Sequence, residues 1–507
     1  MSNLYSALMR RGLAGSRRKT VAIETEEGLG YSYQDLDHAS GRIANWLASL
    51  SLEEGARVAV QVEKSPEAVM LYLACLRAGL TFIPLNTAYR AGEMDYFLKD
   101  AGPSVVVCDP SSLGWIQPLA AAAGARAVVT LGAHRDGTLL AEAAPFPDRH
   151  HVQSVSPDHL AAILYTSGTT GRSKGAMLTH KNLQSNAEVL HQVWRWQDGD
   201  VLLHALPIFH VHGLFVALHG ALLNASRLIW HAKFDPEAVI QRLTDATVLM
   251  GVPTFYTRLL AHPGLTRDRV KGMRLFVSGS APLLAETHHA FTEQTGHAIL
   301  ERYGMSETVM LTSNPYEGPR KPGTVGLALP GVGVRLAHSE GLIEPRSGES
   351  SAVGGVQVRG PNVFVGYWNR PEKTREEFTD DGWFKTGDMG RWDEDGFLVL
   401  VGRSKDLIIT GGYNVYPKEV EMLLDDQPEV EESAVVGIPH PDFGEAVVAE
   451  VVLKAGESVS AEALIARLKT LLAGFKVPKR IELVSALPRN VMGKVQKNLI
   501  RDRMTGA

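Results

Sequence analysis

The chain has 507 residues, too many for one ordinary core, so two to four structural units are expected. Its 45% hydrophobic and 21% charged content describes a globular protein, and a net charge of -5 argues against a nucleic-acid partner, which calls for a basic face. Two cysteines, Cys75 and Cys108, cannot build a disulfide framework, and without a Cys/His cluster structural zinc is not expected.

From Met1 to Lys19 the chain carries Arg10, Arg11, Arg17, Arg18 and Lys19 and no acid, a bias shared with organelle transit peptides. Within it, Leu4 to Met9 reads as a short amphipathic helix of the fold, and the cytoplasm is the expected compartment. No apolar stretch reaches the roughly 18 residues that a membrane span needs. Residues 20–160 alternate extended and helical patterns. Val58, Val60 and Val62 alternate as a strand; Ser65-Pro66-Glu67 supplies an N-cap, a first-position proline and a first-turn acid; Gly79 stops the helix that follows. Ser104 to Cys108 gives another strand.

Leu160 to Leu164 reads as a buried strand, and Tyr165-Thr166-Ser167-Gly168-Thr169-Thr170-Gly171-Arg172-Ser173-Lys174-Gly175 follows it. Glycines allow close backbone approach, hydroxyls donate to phosphate oxygens, and Arg and Lys neutralise phosphate charge. The segment is not a P-loop. Counted from Gly168, the second glycine falls on Ser173, and Lys174 precedes Gly175 rather than Ser or Thr.

A second strand–helix series starts at Val201 to His204 and continues through Ser226–Trp230, Thr247–Gly251 and Arg274–Ser278. Such alternation predicts largely parallel, helix-covered sheets, and two series predict two related subdomains. From Gly323 glycines, prolines and short alternating strands such as Gly355–Gly360 predict a small β-rich unit ending near Arg403. Beyond the charged junction Gly402-Arg403-Ser404-Lys405-Asp406, a compact α+β module is expected, with strands at Glu432–Gly437 and Ala446–Leu453 and a helix over Ala461–Leu472.

The phosphate-binding segment resembles that of the adenylate-forming enzymes, which include acyl-CoA synthetases, peptide-synthetase adenylation domains and luciferases. Four further segments match that family in the same order: Ser278-Gly279-Ser280-Ala281-Pro282, Glu301-Arg302-Tyr303-Gly304-Met305-Ser306-Glu307, Gly382 to Asp388, and Pro488 to Lys494. The resemblance implies an α/β fold. A large N-terminal domain (1–404) would hold two related helix-covered sheet subdomains and the β-rich unit, with a small mobile α+β domain (405–507) after it.

It also implies ATP, Mg²⁺ and coenzyme A as ligands and a small carboxylic acid as substrate. Thr166, Ser167, Gly168, Thr169, Thr170, Gly171 and Lys174 would surround the phosphates, with Thr166 and Glu307 at the magnesium. Gly279, Ser280, Ala281, Glu301, Gly304, Met305 and Ser306 would line the nucleotide, Tyr303 stacking on adenine. Serine at 306 replaces the family's usual threonine and keeps the hydroxyl. Asp388 would take the ribose hydroxyls, with Arg403 beside it. Lys494 would bridge the acid's carboxylate and the α-phosphate, Lys405 would be the hinge, and Gly411 and Gly412 would face the pantetheine path.

His210, with Ser278, is expected in the wall of the acid pocket, His210 as its gate. Arg258, projecting from the start of a pocket-lining helix, and Arg302 are cations where fatty-acyl and aryl pockets are apolar. An unpaired buried guanidinium is costly, so the pair makes better sense against a substrate with a second carboxylate. Pro207 to Gly213 and Glu301 to Met305 resemble malonyl-CoA synthetases in particular, which implies malonate, with methylmalonate as a second substrate. Other acyl- or aryl-CoA synthetases, and a stand-alone adenylation enzyme loading a carrier protein, share the remaining motifs. Oligomeric state is left open by the sequence.

Overall fold

Val105-Val106-Val107-Cys108, apolar on both faces, is buried throughout as a central strand of a parallel sheet. The computed structural model describes residues 3–505 apart from 167–172, 339–340, 346–347, 411–412, 473 and 491–492. Among the described residues the first sheet runs, edge to edge, Ala127–Thr130, Val105–Cys108, Arg57–Gln61, Thr81–Pro84, Leu160–Thr166 and Lys174–Thr179, antiparallel only in its last pair. The second is centred on Leu275–Ser278, Val248–Gly251, Val201–His204 and Arg227–Trp230, all parallel. Leu300–Met305 joins it in parallel and then turns antiparallel into Val309–Ser313.

The helix Pro66–Arg77 begins where the Ser65 side chain accepts from Ala68 N, and it ends before Gly79, whose φ of 67° suits a residue without Cβ. It is buried on every face, as an all-round apolar helix must be. One core cluster joins it to the strands of both sheets. The N-terminal helix Leu4–Met9 belongs to this core too, with Leu4, Tyr5, Leu8 and Met9 buried. One strand from the N-terminal part of the chain belongs to the second sheet. Val21–Thr25 pairs with Arg227–Trp230 and covers that edge of the second sheet. The subdomains are therefore interleaved in sequence.

An antiparallel sheet of Gly333–His338, Gly354–Arg359, Phe384–Trp392 and Leu398–Arg403 follows and ends at Arg403. The C-terminal residues build a separate core on a long hairpin, Val430–His440 with Gly444–Leu453, covered by helices Pro417–Asp425 and Ala461–Leu471. Both hairpin strands run longer than their sequence pattern suggested. Lys454 Nζ meets Glu286 Oε1 at 2.8 Å, tying this unit to the helix Ala285–Thr295. No helix among the described residues is long and apolar enough to cross a membrane.

Candidate functional site

The carboxyl ends of the parallel strands converge where this fold type places its ligands. On one side lies a buried polar group. The antiparallel pairing of Phe384–Trp392 with Leu398–Arg403 sets Asp388 opposite Arg403, whose Nε donates to Asp388 Oδ1 at 2.7 Å. The Tyr303 hydroxyl donates to the other carboxylate oxygen, and Asp388 N donates to Thr386 Oγ1. Burial pushes the Tyr303 phenol far above its ordinary value, and the Asp388 charge adds to it. Glu307 is buried nearby and accepts from the Tyr367 hydroxyl at 2.9 Å. Dehydration raises its carboxyl pKa, opposed by that hydrogen bond and by Arg403 and Lys174. Lys174 lies 4.7 Å from the Tyr367 ring centroid.

Thr166 and Lys174 pair across the base of the phosphate segment, Thr166 Oγ1 donating to Lys174 O. Ser167, Gly168, Thr169, Thr170 and Gly171 lie outside the described residues, as do Gly411 and Gly412. Both flanks of the phosphate segment are held from the helix Ala91–Ala101. Tyr165 donates to Asp100 Oδ2 at 2.7 Å, and Tyr96 donates to Ser173 O at 2.6 Å. Tyr96, Asp100 and Tyr367 were invisible to motif reading, for each contact is made across the fold.

Leu300–Met305 forms the partition of the site. Successive side chains of a strand face opposite ways. Tyr303 turns to Asp388, while Arg302 runs beneath Gly279, where any Cβ would collide with the guanidinium. Arg302 is 3% exposed, and its Nε and Nη2 have no hydrogen-bond partner among the described residues. Burial pushes its pKa down to about 9. Glu301 is 5% exposed; Oε1 accepts from Leu283 N, Oε2 has no hydrogen-bond partner among the described residues, and burial raises its carboxyl to about 8. Gly304 admits no side chain because Val309 O stands where its Cβ would be. Met305 N donates to Thr308 Oγ1, and Ser306 follows in the turn before Glu307.

Ser278 closes the strand Leu275–Ser278 with a buried hydroxyl that has no hydrogen-bond partner among the described residues. Ser280 takes φ 73°, and its hydroxyl shares a 3.3 Å hydrogen bond with His212 Nδ1; Ala281 follows it. His212 opens a π-helical turn, His212–Leu218, a rare conformation that recurs at functional sites. His210 Nδ1 accepts from His212 N at 3.3 Å. Burial pushes His210 down to about 4, aided by the Arg302 and Lys494 charges, so the ring is neutral near pH 7.

Arg258 departs from its expected place. It occupies the last turn of Pro253–Leu260 rather than the start, and it is exposed. There it lines a cavity of ≈ 260 Å³ with Pro207, Phe234 and Phe255, closed from the C-terminal unit by Arg489 and Gly493. Gly493, at φ 75°, abuts Thr254 and ends a tight turn in which Asn490 N donates to Lys494 O and Asn490 Oδ1 accepts from Lys494 N. The Lys494 side chain is open to the cleft. Partial dehydration and the Arg403 charge lower its pKa, while Asp388, Asp406 and Glu307 pull it the other way. Lys405 sits in the short turn Ser404–Asp406 between the antiparallel sheet and the C-terminal unit.

The site thus joins a buried carboxylate held by Arg403 and Tyr303, the flanks of a Gly/Ser/Thr-rich segment, a buried guanidinium and a lysine of the C-terminal unit. The AMP-binding enzyme family matches residues 10–368, and the AMP-binding enzyme C-terminal domain matches 419–494. ATP-bound MatB from Rhodopseudomonas palustris is 52% identical over 99% of this chain and 98% of its own, with a TM-score of 0.95. Its apo form, at the same identity, superposes at 0.85. A malonate–CoA ligase of Arabidopsis thaliana is 34% identical over 88% of this chain and 78% of its own length. A feruloyl-CoA synthase of Amycolatopsis is 37% identical over 94% of both. The chain is a member of the AMP-binding enzyme family.

Proposed function

We propose that this protein is a malonyl-CoA synthetase. One malonate carboxylate attacks the α-phosphate of ATP, the α–β phosphoanhydride bond breaks, and pyrophosphate leaves. The thiolate of coenzyme A then attacks the acyl carbon of the mixed anhydride, the C–O bond to AMP breaks, and malonyl-CoA and AMP depart. A free carboxylate cannot undergo the second step, because its leaving group would be oxide. The observation that carries the choice of acid is Arg302, buried beside Gly279 and without an acidic partner among the described residues. A pocket for a fatty or aryl acid has no use for that charge; malonate's distal carboxylate supplies its partner with bidentate geometry. Ser278 and the neutral His210 border the same space. Arg258, at the cavity rim, serves the acid's approach, and methylmalonate fits as a second substrate. The resemblance to MatB and to the Arabidopsis malonate–CoA ligase supports the reading.

ATP, Mg²⁺ and coenzyme A are the ligands the family implies. A small hard cation takes one or two carboxylates plus phosphate oxygens rather than an all-protein cage. Glu307 fits that demand. It is a single carboxylate whose burial disfavours its charge until a cation arrives, and the described residues hold no cluster of three metal-ligating acids, histidines or cysteines. Thr166 would add a hydroxyl, and the bound metal would neutralise phosphate charge. Asp388, with Tyr303 and Arg403 fixing its orientation, takes the ribose hydroxyls. Lys174 meets the terminal phosphates, and Lys494 holds the acid's carboxylate and the α-phosphate together as charge builds at phosphorus.

Residues 1–404 and 405–507 act as two bodies hinged at Lys405. The better superposition on the ATP-bound relative than on its apo form supports a C-terminal unit posed for adenylation here, with the lysine turn against Thr254. The setting is cytoplasmic, where two free buried cysteines are at home. The test is ATP- and CoA-dependent AMP release across malonate, methylmalonate, acetate, butyrate, octanoate, benzoate and ferulate. Malonate should lead. A lead by any monocarboxylate would overturn the assignment, and pyrophosphate exchange without a CoA thioester would point to carrier loading instead.

A further inference from the structure

Lys64 lies between the strand Arg57–Gln61 and the N-cap of Pro66–Arg77, and it is 9% exposed. Its hydrogen bonds go to carbonyl oxygens. Nζ donates to His204 O at 2.8 Å and to His231 O at 2.6 Å, and it stands 4.3 Å from the Trp230 ring centroid. Burying an ammonium that has no acid bonded to it opposes folding. The chain accepts that cost at a particular place. His204 is the last residue of Val201–His204, and His231 directly follows Arg227–Trp230, so a lysine from the first sheet fastens the carboxyl ends of two adjacent strands of the second.

The contact continues toward the acid. The His204 ring stacks on Trp230, with centroids 4.8 Å apart, and its Nε2 bonds Gly213 O at 2.9 Å. Gly213 lies in the π-helical turn and presses so closely on Pro207 O that no Cβ fits. The turn opens with His212, which is hydrogen-bonded to Ser280 and lies in the field of Arg302. Four groups in sequence therefore connect Lys64 to the pocket: His204, Gly213, His212 and Ser280.

We propose that Lys64 is a positioning residue for the acid pocket, fixing through His204 the π-helical turn whose first residue borders Arg302. The proposal rests on the malonate reading above. It predicts a larger effect on the acid than on the nucleotide, since the contacts run to the surroundings of Arg302 and meet the nucleotide segment only at Ser280, short of Asp388 and Glu307. A clasp that merely joins the two sheets would disturb both substrates alike.

The experiment compares Lys64→Met, His204→Phe and His204→Gln in the full chain, measuring KM for malonate and for ATP together with Tm. His204→Phe keeps an aromatic ring against Trp230 and loses the bond to Gly213; His204→Gln keeps a donor for it. Lys64→Met and His204→Phe should raise the malonate KM by roughly tenfold or more, the scale of a sub-ångström to ångström misplacement, and raise the ATP KM far less. His204→Gln should stay near the wild type. A parallel rise in both KM values, or an unchanged malonate KM, would overturn the proposal. If Lys64→Met does not fold, the two His204 variants decide. Should the wild type prefer another acid, the malonate reading fails by itself, and the same comparison is made on that acid.

Discussion

Replacing Arg302 by methionine should make the protein more stable and nearly inactive toward malonate. The guanidinium is buried with two nitrogens that have no hydrogen-bond partner among the described residues, and burial lowers its pKa from the ordinary guanidinium range to about 9. At about 1.36 kcal/mol for each pH unit, burying that charge costs several kcal/mol. Methionine removes the charge and leaves some void, so a net gain of about 1–4 kcal/mol is expected, the range seen when buried ionic groups are replaced by apolar ones. In a chain of this size that means a rise in Tm of a few degrees. The folded-state pKa lies below the unfolded one, so the penalty is complete below pH 9 and fades as pH climbs toward the ordinary guanidinium range. The Tm gain should be constant at pH 6–8 and shrink above 9. Catalysis moves the other way. Truncating one partner of a buried charge pair costs about 2–5 kcal/mol, or roughly 30- to 4,000-fold in kcat/KM for malonate. Acetate, with no distal carboxylate, should lose little. Differential scanning fluorimetry and AMP release on both acids check the two halves. A variant that is less stable and loses acetate and malonate activity in equal proportion would refute the reasoning.

Lys494→Ala should lower malonate-dependent pyrophosphate exchange by about 10²–10³-fold, as expected for loss of one oriented donor, and spare thioester formation from supplied malonyl-AMP. Equal loss in both half-reactions would deny the lysine its assigned role. Glu301→Gln should raise Tm in a pH-dependent way. Burial lifts the folded-state carboxyl to about 8, above its unfolded value, so wild-type stability drops as pH rises from 4.5 through 8. The variant's advantage should be absent near pH 4.5, grow to pH 8 and level off above it; an advantage that is flat with pH would show that Glu301 titrates normally.

Much of this was legible in the residues. The strand before the phosphate segment, the cap and stop of Pro66–Arg77, the end of the β-rich unit at Arg403 and the Lys494 turn all rest on local chemistry, which sequence carries directly. Arg302 was found because it directly precedes the tyrosine that the family resemblance places on adenine, beside an acid pocket that is apolar in fatty-acyl and aryl relatives. What escaped depends on contacts between distant segments. Val21–Thr25 reads as an ordinary strand, and nothing in it says that it crosses to the second sheet. Arg258 follows Pro-Thr-Phe-Tyr-Thr closely enough to suggest the head of a helix, yet the helix is only eight residues long and ends two residues later. Lys64 looks like a solvated charge before an N-cap, and its burial arises only when the two sheets meet.

The partition strand Leu300–Met305 has a consequence for how such an enzyme can change over time. A pleated backbone sends adjacent positions 302 and 303 to opposite sides, so on the proposed reading they serve different ligands. Mutations on one side should combine almost additively with those on the other, since they share no partner. A lineage can then drift from one acid to another by altering the even face while its grip on the nucleotide stays intact. Substitution is thereby tolerated and insertion is not: a one-residue slip here would exchange the two faces and lose both specificities at once.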